Sequence, residues 1–424
     1  MIFILALNQN WRLNQYDVKN AFIHAKIDKE IYVEQPRGFN VSNENEEKFF
    51  CKLNKALYGL KQSPRLWYEH LLGILQKHGL EAMPYDSAIF IHRAQKIIIV
   101  CHVDDMIITG PCESEIDKLI NSLRKSIKIE KIGNINQFLG MQIHTDYNKK
   151  SIRLNQNKYT SKLLDKFNKK DFAPVLSPVE QGVNLEKALE QASAQSINQY
   201  QQEVGSLIYL AMNTRPDITF AVNRCARFMA NPNQTHFKAV DRIWKYLNKY
   251  PQLGLCYDCT TINESILGYT DADWGGDTTT RKSTTGYVFQ LNNNNISWVS
   301  MLQKTIALSS CEAEYMALKE AIKESIYLNN MIRYFYNLIE IKCPAQVPRL
   351  LSDSQSALKL ANNPEFHKRT KHIDITYHFI RDVIKQKQVE LEYINTKSQN
   401  ADGFTKALDT IKHKGFLLSL NLKE

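Results

Sequence analysis

Short apolar runs alternate with helical spacings over the first third of the chain, the order expected of an α/β unit. Ile97–Val100 and Met106–Ile108 flank Asp104-Asp105, which predicts two strands joined by a tight turn. Tyr58–Gln76 places Leu60, Trp67, Leu71, Leu72 and Leu75 at helical spacing, with Pro64 near the start. The opening Met1–Leu7 is apolar but is broken by Asn8, Gln9 and Asn10. It lacks a basic leader and a small-residue cleavage site, so it predicts a buried helix rather than a signal peptide.

The middle of the chain, 147–259, reads as mostly helical. Tyr159, Leu163, Leu164 and Phe167 form one face, and Lys158, Lys162 and Lys166 fall on another. That lysine row is either a solvated face or a phosphate-facing one. Pro216 opens a helix burying Ile218, Ala221, Val222, Cys225, Phe228 and Met229. Phe237, Val240, Trp244 and Leu247 mark another helix, ended by Pro251. Residues 178–201, poor in aromatics, read as a loop or loose connection. From Ser265 onward, strand-like runs at 266–270, 286–291, 296–302 and 305–308 precede a long helix over 312–336, a strand at 349–352 and further helices. The fold class is therefore α/β (α+β), in several packed units.

Composition changes this picture little. The 424 residues carry 54 Lys and Arg against 44 Asp and Glu, a formal charge of +10, which is compatible with a nucleic-acid partner. No stretch approaches the ~20 apolar residues of a membrane span, and the 8 scattered cysteines suit a reducing compartment, so no membrane partner and an intracellular location are expected. Cys256 and Cys259 form a CxxC without a second ligand pair nearby; burial as small apolar side chains is the better reading.

The candidate chemistry lies in acidic residues. Nucleotidyl transfer requires carboxylates converging from different strands on two divalent ions. Asp17 ends an apolar run and Asp104-Asp105 sits in the expected turn, suitable places for such ligands; an isolated Asp-Asp turn is otherwise ordinary. A second set lies further on. Asp271 is at a strand end, Glu314 at a helix start, Asp353 just after a strand and Asp402 at the opening of a helix. Four such groups repel one another unless cations bridge them. Taken singly, each reads as a helix cap or solvated group, Asp402 especially.

The segments QYDVKNAFIHAKIDKEIYVEQPRGF (15–39), LNKALYGLKQSPRLWYEHL (53–71), VDDMIITG (103–110), FLGMQI (138–143) and VGSLIYLAMNTRPDITFAV (204–222) resemble copia/Ty-type long-terminal-repeat retrotransposon Pol polyproteins. The resemblance covers almost the whole chain. It implies a reverse-transcriptase palm over 1–146, a helical thumb or connection over 147–262, a ribonuclease H-like mixed-sheet domain over 263–410 and a tail over 411–424.

By that resemblance Asp17, Asp104 and Asp105 are the polymerase metal ligands. Phe22 is the gate against a ribose 2′-hydroxyl, and Gly59, Ser63 and Pro64 open the helix on which template and incoming nucleotide rest. Leu139 and Gly140 form the hairpin that steadies the primer; read without the resemblance, Phe22, Leu139 and Gly140 are core packing and a turn. Two departures stand out. His102 replaces the usual Tyr, with weaker primer positioning as the expected effect. Sixteen residues precede Asp17, so the fingers are expected to be missing and the polymerase incomplete.

With SWVSMLQKTIALSSCEAEYMA (297–317), the later acidic set resembles the same family's ribonuclease H domain, which implies cleavage of RNA in RNA–DNA hybrids. Asp271, Glu314, Asp353 and Asp402 are then its ligands, preferred to the neighbouring Asp273 and Glu312. The loop 396–399 has no clear equivalent of the family's mobile His. The cofactor expected is Mg²⁺, two ions per active site, with Mn²⁺ as the alternative. Implied partners are RNA template, DNA primer, RNA–DNA hybrid, deoxynucleoside triphosphates and other parts of a polyprotein. The location implied is a cytoplasmic virus-like particle, with the nucleus as a second site. Lys368, Arg369 and Lys371, in the densest basic run, read either as a grip on the hybrid's phosphates or as a solvated loop.

Overall fold

The computed structural model describes residues 1–39, 41, 49–259, 265–338, 340, 347–362 and 374–424, with backbone alone for 374–377. Lys368, Arg369 and Lys371 lie outside the described residues. Two compact units are present. One is Gln9–Ile135; the other joins Met1–Asn8, which holds helix α1 (Ile2–Asn8), to Asn136–Glu424.

Unit Gln9–Ile135 is built on a six-stranded antiparallel sheet. Beyond β1 (Arg12–Val18) and a small ribbon of β2 (Tyr32–Glu34) and β3 (Phe50–Lys52), the chain forms helix α2 (Ser63–Lys77). Strands β4 (Leu80–Met83), β5 (Asp86–His92), β6 (Ile97–His102) and β7 (Asp105–Gly110) follow, then α3 (Glu113–Leu123) and β8 (Ile129–Asn134). The sheet order is β4-β5-β6-β7-β1-β8. The apolar runs either side of Asp104-Asp105 become the β6–β7 hairpin, with Ile99 opposite Ile108. Trp67, Leu71 and Leu75 of α2, and Ile116, Ile120 and Leu123 of α3, recur at helical spacing and share one core with Ile97, Ile99, Met106 and Ile108 of the sheet. Pro64 lies in the first turn of α2, where its missing N–H costs nothing. Residues 58–62, expected to be helical, precede that helix.

In the second unit, β9 (Gln137–Phe138), β10 (Met141–Asp146), β11 (Ser151–Asn155) and, after the helices, β12 (Gly254–Asp258) form a sheet whose edge is completed by Leu422–Lys423. Helix α1 buries Ile4–Leu7 and packs on β11 and β12, as the opening apolar run predicts. Helices α4 (Asn157–Lys166), α5 (Ala194–Asn213), α6 (Thr219–Ala226) and α7 (Gln234–Lys249) share a core containing Leu163, Tyr200, Leu207, Val222 and Trp244. Residues 178–193 are irregular, as expected, but helix α5 corrects the loop reading over 194–201. Ser193 caps its first turn, accepting from the Ser196 N–H, and Gln and Ala are good helix formers although polar or small.

A buried cluster ties these helices to the C-terminal helix. Arg215 donates to Asp217 at 2.9 and 2.7 Å, Tyr246 donates to Asp217 at 2.7 Å, and the His413 ring lies 3.0 Å from the Tyr246 hydroxyl. Burial alone would raise the Asp217 pKa, but the Arg215 charge and hydrogen bonds hold it below its ordinary value.

The last sheet consists of β13 (Ile266–Ala272), β14 (Thr284–Leu291), β15 (Asn294–Leu302), β16 (Arg349–Ser352) and β17 (Glu390–Tyr393), ordered β15-β14-β13-β16-β17. The first three strands are antiparallel; β13, β16 and β17 run parallel. Helix α8 (Ser310–Leu338) crosses from β15 to β16 and packs on β13 and β14. Its buried Ala313, Ala317 and Ala321 let the backbone come close to the sheet. Helices α9 (Gln355–Asn362), α10 (Asp374–Lys385) and α11 (Thr410–Ser419) complete the unit; α11 occupies most of the segment read as a tail. Residues 305–308, expected to be a strand, are irregular. Trp274 Nε1 donates to the Ala307 carbonyl there, while Ile306 and Leu308 stay exposed.

Candidate cation site and a second carboxylate group

The β13–β16 pairing decides where two carboxylates meet. Leu267, Gly268 and Tyr269 pair in parallel with Arg349, Leu350 and Leu351, so two residues further on Asp271 and Asp353 emerge side by side at the carboxyl ends. In open α/β sheets that edge is where ligands bind. Glu314, in the first turns of α8, is brought to the same edge by the close approach of its alanine neighbours. Ligand atoms of Asp271, Glu314 and Asp353 all lie within 4.8 Å of one another.

This trio fits a divalent cation. Asp271 is 1% exposed and Glu314 9% exposed, and Glu314 Oε2 is buried without a hydrogen-bond partner. Burial, reinforced by the charges of Asp271 and Asp353, pushes Glu314 up to about 9. A cation among these oxygens would relieve both the repulsion and the orphaned acceptor.

Supporting groups surround the trio. Thr396 Oγ1 donates to Asp353 Oδ2 at 2.7 Å, and Thr405 Oγ1 donates to Asp271 Oδ2. Asp402 is the first residue of a short 3₁₀ turn, 402–404, and Ala401 rather than Asp402 holds the cap position. Asp402 Oδ1 accepts from Lys406 Nζ at 2.9 Å, and the same ammonium lies 3.2 Å from Asp271 Oδ2. The Asp402 carboxyl is raised by burial and by Asp271. Gly286 lies directly across from Asp271 in the β13–β14 register, and its missing side chain makes room for this turn.

The alternatives Asp273 and Glu312 are engaged elsewhere. Asp273 accepts from the Thr284 N–H, and burial pushes its carboxyl up to about 6. Glu312 closes the start of α8: its Oε2 accepts from the Leu308 N–H at 2.8 Å, and its own N–H donates to Ser309 Oγ, in the manner of a capping box. Thr396, Thr405, Lys406 and Gly286 escaped the sequence reading. For Lys406 a signal was present, since it follows Asp402 by four residues, a spacing that pairs side chains.

In the first unit, Asp17 on β1 stands opposite Asp105 on β7, and the Val18 N–H donates to the Asp104 carbonyl at 2.8 Å. The three carboxylates share one end of the sheet but are engaged singly. Lys19 Nζ lies 2.9 Å from Asp17, Tyr58 donates to Asp104 at 3.3 Å, and Asp105 is raised by burial and by Asp104. Among the described residues they do not form a three-ligand group, so the fit to a cation is not made there as it is at Asp271.

Phe22 is buried, with its ring 4.3 Å from that of Tyr58. Gly59 takes φ +97°, which side chains resist, and Ser63 Oγ donates to the Leu57 carbonyl, fixing the turn before α2 beside Pro64. His102 is exposed and faces Asp105 across the hairpin, and the Val103 carbonyl is held by Trp67 Nε1 at 2.8 Å. In the second unit Leu139 and Gly140 form a left-handed turn (φ +48° and +72°), with Tyr209 donating to the Leu139 carbonyl.

Fold and site together define a mixed α/β chain with a candidate divalent-cation centre on a five-stranded sheet and a second acidic group on an antiparallel one. Residues 1–181 match the family described as reverse transcriptase (RNA-dependent DNA polymerase). The retrovirus-related Pol polyprotein from transposon TNT 1-94 of Nicotiana tabacum is 38% identical over 96% of this chain and 30% of its own length. A Ty5-1 transposon protein of Saccharomyces cerevisiae is 31% identical over 73% of this chain and 99% of its own length. Among solved structures, a foamy viral protease-reverse transcriptase in complex with an RNA/DNA hybrid aligns with TM-score 0.45 and 12% identity, over 91% of this chain and 44% of that one. This chain belongs to the reverse-transcriptase family of copia-type retrotransposon Pol polyproteins. It spans 30% and 28% of the length of the tobacco relative and of the RE2 transposon relative from Arabidopsis thaliana.

Proposed function

We propose that residues 263–410 of the second unit are a ribonuclease H domain that hydrolyses RNA in RNA–DNA hybrids at Asp271, Glu314, Asp353 and Asp402. The observation carrying this reading is the convergence of Asp271, Glu314 and Asp353 within 4.8 Å around an unsatisfied buried Glu314 oxygen. Mg²⁺ held by these residues, or Mn²⁺ in its place, would supply a polarised phosphate and an activated water. The protein's own part is positional. Thr396 orients Asp353, Thr405 orients Asp271, and Glu312 fixes the start of α8 so that Glu314 faces the sheet edge.

Residues 1–146 are proposed as a reverse-transcriptase palm acting on RNA template, DNA primer and deoxynucleoside triphosphates. This reading is favoured by Asp17 standing opposite Asp105 with Asp104 at the adjoining turn. Phe22, packed on Tyr58, would exclude the ribose 2′-hydroxyl; Gly59, Ser63 and Pro64 would set the template-facing turn; Leu139 and Gly140 would steady the primer. Other parts of the polyprotein are proposed partners, in a cytoplasmic particle.

Two assays on the full chain separate the readings. Mg²⁺-dependent cleavage of a labelled hybrid tests the hydrolase, and extension of a primed RNA template tests the polymerase. Cleavage without extension leaves the first reading and removes the second. A folded chain that does neither overturns both.

A further inference from the structure

Asp271 is shared between two different surroundings. On one side are Glu314 and Asp353, close enough to share a cation. On the other is Asp402, and here a cation is already built in. Lys406 Nζ lies 2.9 Å from Asp402 Oδ1, 3.2 Å from Asp271 Oδ2 and 3.3 Å from Asp271 Oδ1. Asp402 and Lys406 stand at the i and i+4 positions of one short segment, so the lysine reaches back over its own turn to the strand end.

The Lys406 side chain is 41% exposed, whereas the Asp271 side chain it touches is 1% exposed. The lysine side chain thus reaches solvent along part of its length while its carboxylate partner does not. Withdrawing it without replacement would leave Asp271 and Asp402 to repel each other in a partly desolvated place. A divalent ion entering that half of the site must displace the lysine, and a polyanion such as a nucleic-acid backbone offers it somewhere else to go.

We propose that Lys406 is an intramolecular cation occupying the Asp271–Asp402 half of the site. The chain without nucleic acid therefore takes up one divalent ion, at the Glu314–Asp353 half, and a second enters only when Lys406 leaves. This rests on the reading of Asp271, Glu314 and Asp353 as divalent-ion ligands. Lys406 acts here as a positioning residue that sets the order of ion binding.

The test counts Mn²⁺ bound per metal-free full-length chain, from the electron paramagnetic resonance signal of free Mn²⁺. Ions bound at the palm contribute equally to every variant, so differences are read. Asp353→Asn is expected to bind one ion fewer than wild type, which checks the underlying site. Lys406→Met is expected to bind one more at the concentration that saturates wild type. Lys406→Arg, which keeps the charge, should match wild type, and Lys406→Met with Asp402→Asn should return to the wild-type number. Lys406→Gln repeats the measurement if the methionine variant fails to fold. Equal counts for wild type and both neutral variants, with the Asp353→Asn loss intact, overturn the lysine proposal alone. No loss in Asp353→Asn overturns the site reading and the proposal with it. A merely structural lysine would lower thermal stability on substitution without changing the count.

Discussion

Replacing Gly286 by alanine adds one methyl group beside the candidate site, and the structure says where it goes. The new Cβ would lie 2.7 Å from Phe404 Cβ, 2.7 Å from Thr405 Cγ2 and 3.2 Å from the Ala401 carbonyl oxygen. Carbon atoms pack at about 3.5–4.0 Å, so the turn carrying Asp402 and Thr405 must retreat by roughly 1 Å. Overpacking of this kind typically costs about 1–3 kcal/mol. The retreat also shifts the Thr405 hydroxyl that holds Asp271, and the Asp402–Lys406 pair. A misplacement of about 1 Å in a catalytic constellation can cost ~100-fold in rate.

Gly268→Ala is the control. Its Cβ would meet Leu350 Cδ1 at 2.8 Å and the Phe289 ring, inside the sheet's core and away from the turn. Urea unfolding and Mg²⁺-dependent hybrid cleavage, measured where both variants are folded, separate the effects. Both should lose about 1–3 kcal/mol of stability. Cleavage should fall about 100-fold in Gly286→Ala and by much less in Gly268→Ala. Wild-type cleavage by Gly286→Ala, or equal losses in both, refutes the argument that the glycine makes room for the acidic turn.

Three further outcomes are expected. Arg215→Met leaves Asp217 buried without its cation and should destabilise the unit by about 3–5 kcal/mol, read as a lower urea midpoint; a change under ~1 kcal/mol would contradict that account. Burial holds His413 down to about 4, below its ordinary 6.5, so the unfolded chain takes up a proton first as pH falls. Stability should therefore be full above pH ~6.5 and decline by up to ~3 kcal/mol toward pH ~4, and His413→Asn should flatten that dependence in urea titrations across the window. With Glu314 held up to about 9, the folded metal-free chain keeps a proton that the unfolded chain gives up above its ordinary value of 4.5. Glu314's contribution to stability accordingly falls as pH rises between those values; Glu314→Gln should melt higher than wild type at pH 8 in chelator and lose the rise in Tm on adding Mg²⁺.

Much of this was legible in residue order. The β6–β7 hairpin was fixed by branched apolar runs around an Asp-Asp turn, and α7 and α8 by unbroken helical spacing. The acidic residues Asp271, Glu314 and Asp353 stood at strand ends and a helix start, so a parallel pairing of β13 with β16 was enough to bring them together. What could not be read were features that depend on three-dimensional proximity. Gly286 matters because of a turn more than a hundred residues later in the chain. Nothing in the sequence pattern marked Arg215 and Asp217 as a pair, yet both are buried beside Tyr246 and His413. The first turns of α5 lack aromatics and looked like loop because their burial is confined to one face, beginning at Tyr200. In the first unit Asp17, Asp104 and Asp105 occupy one sheet end, but Lys19 and Tyr58 engage two of the carboxylates singly.

The central claim is that the Asp271, Glu314 and Asp353 cluster is a hydrolytic site distinct from the palm. The most direct measurement is Mg²⁺-dependent cleavage of a labelled RNA–DNA hybrid by the wild-type chain, Asp353→Asn and Asp17→Asn. The account predicts cleavage by wild type and Asp17→Asn, and its loss in Asp353→Asn. Cleavage that survives Asp353→Asn, or that disappears equally in Asp17→Asn, would contradict it.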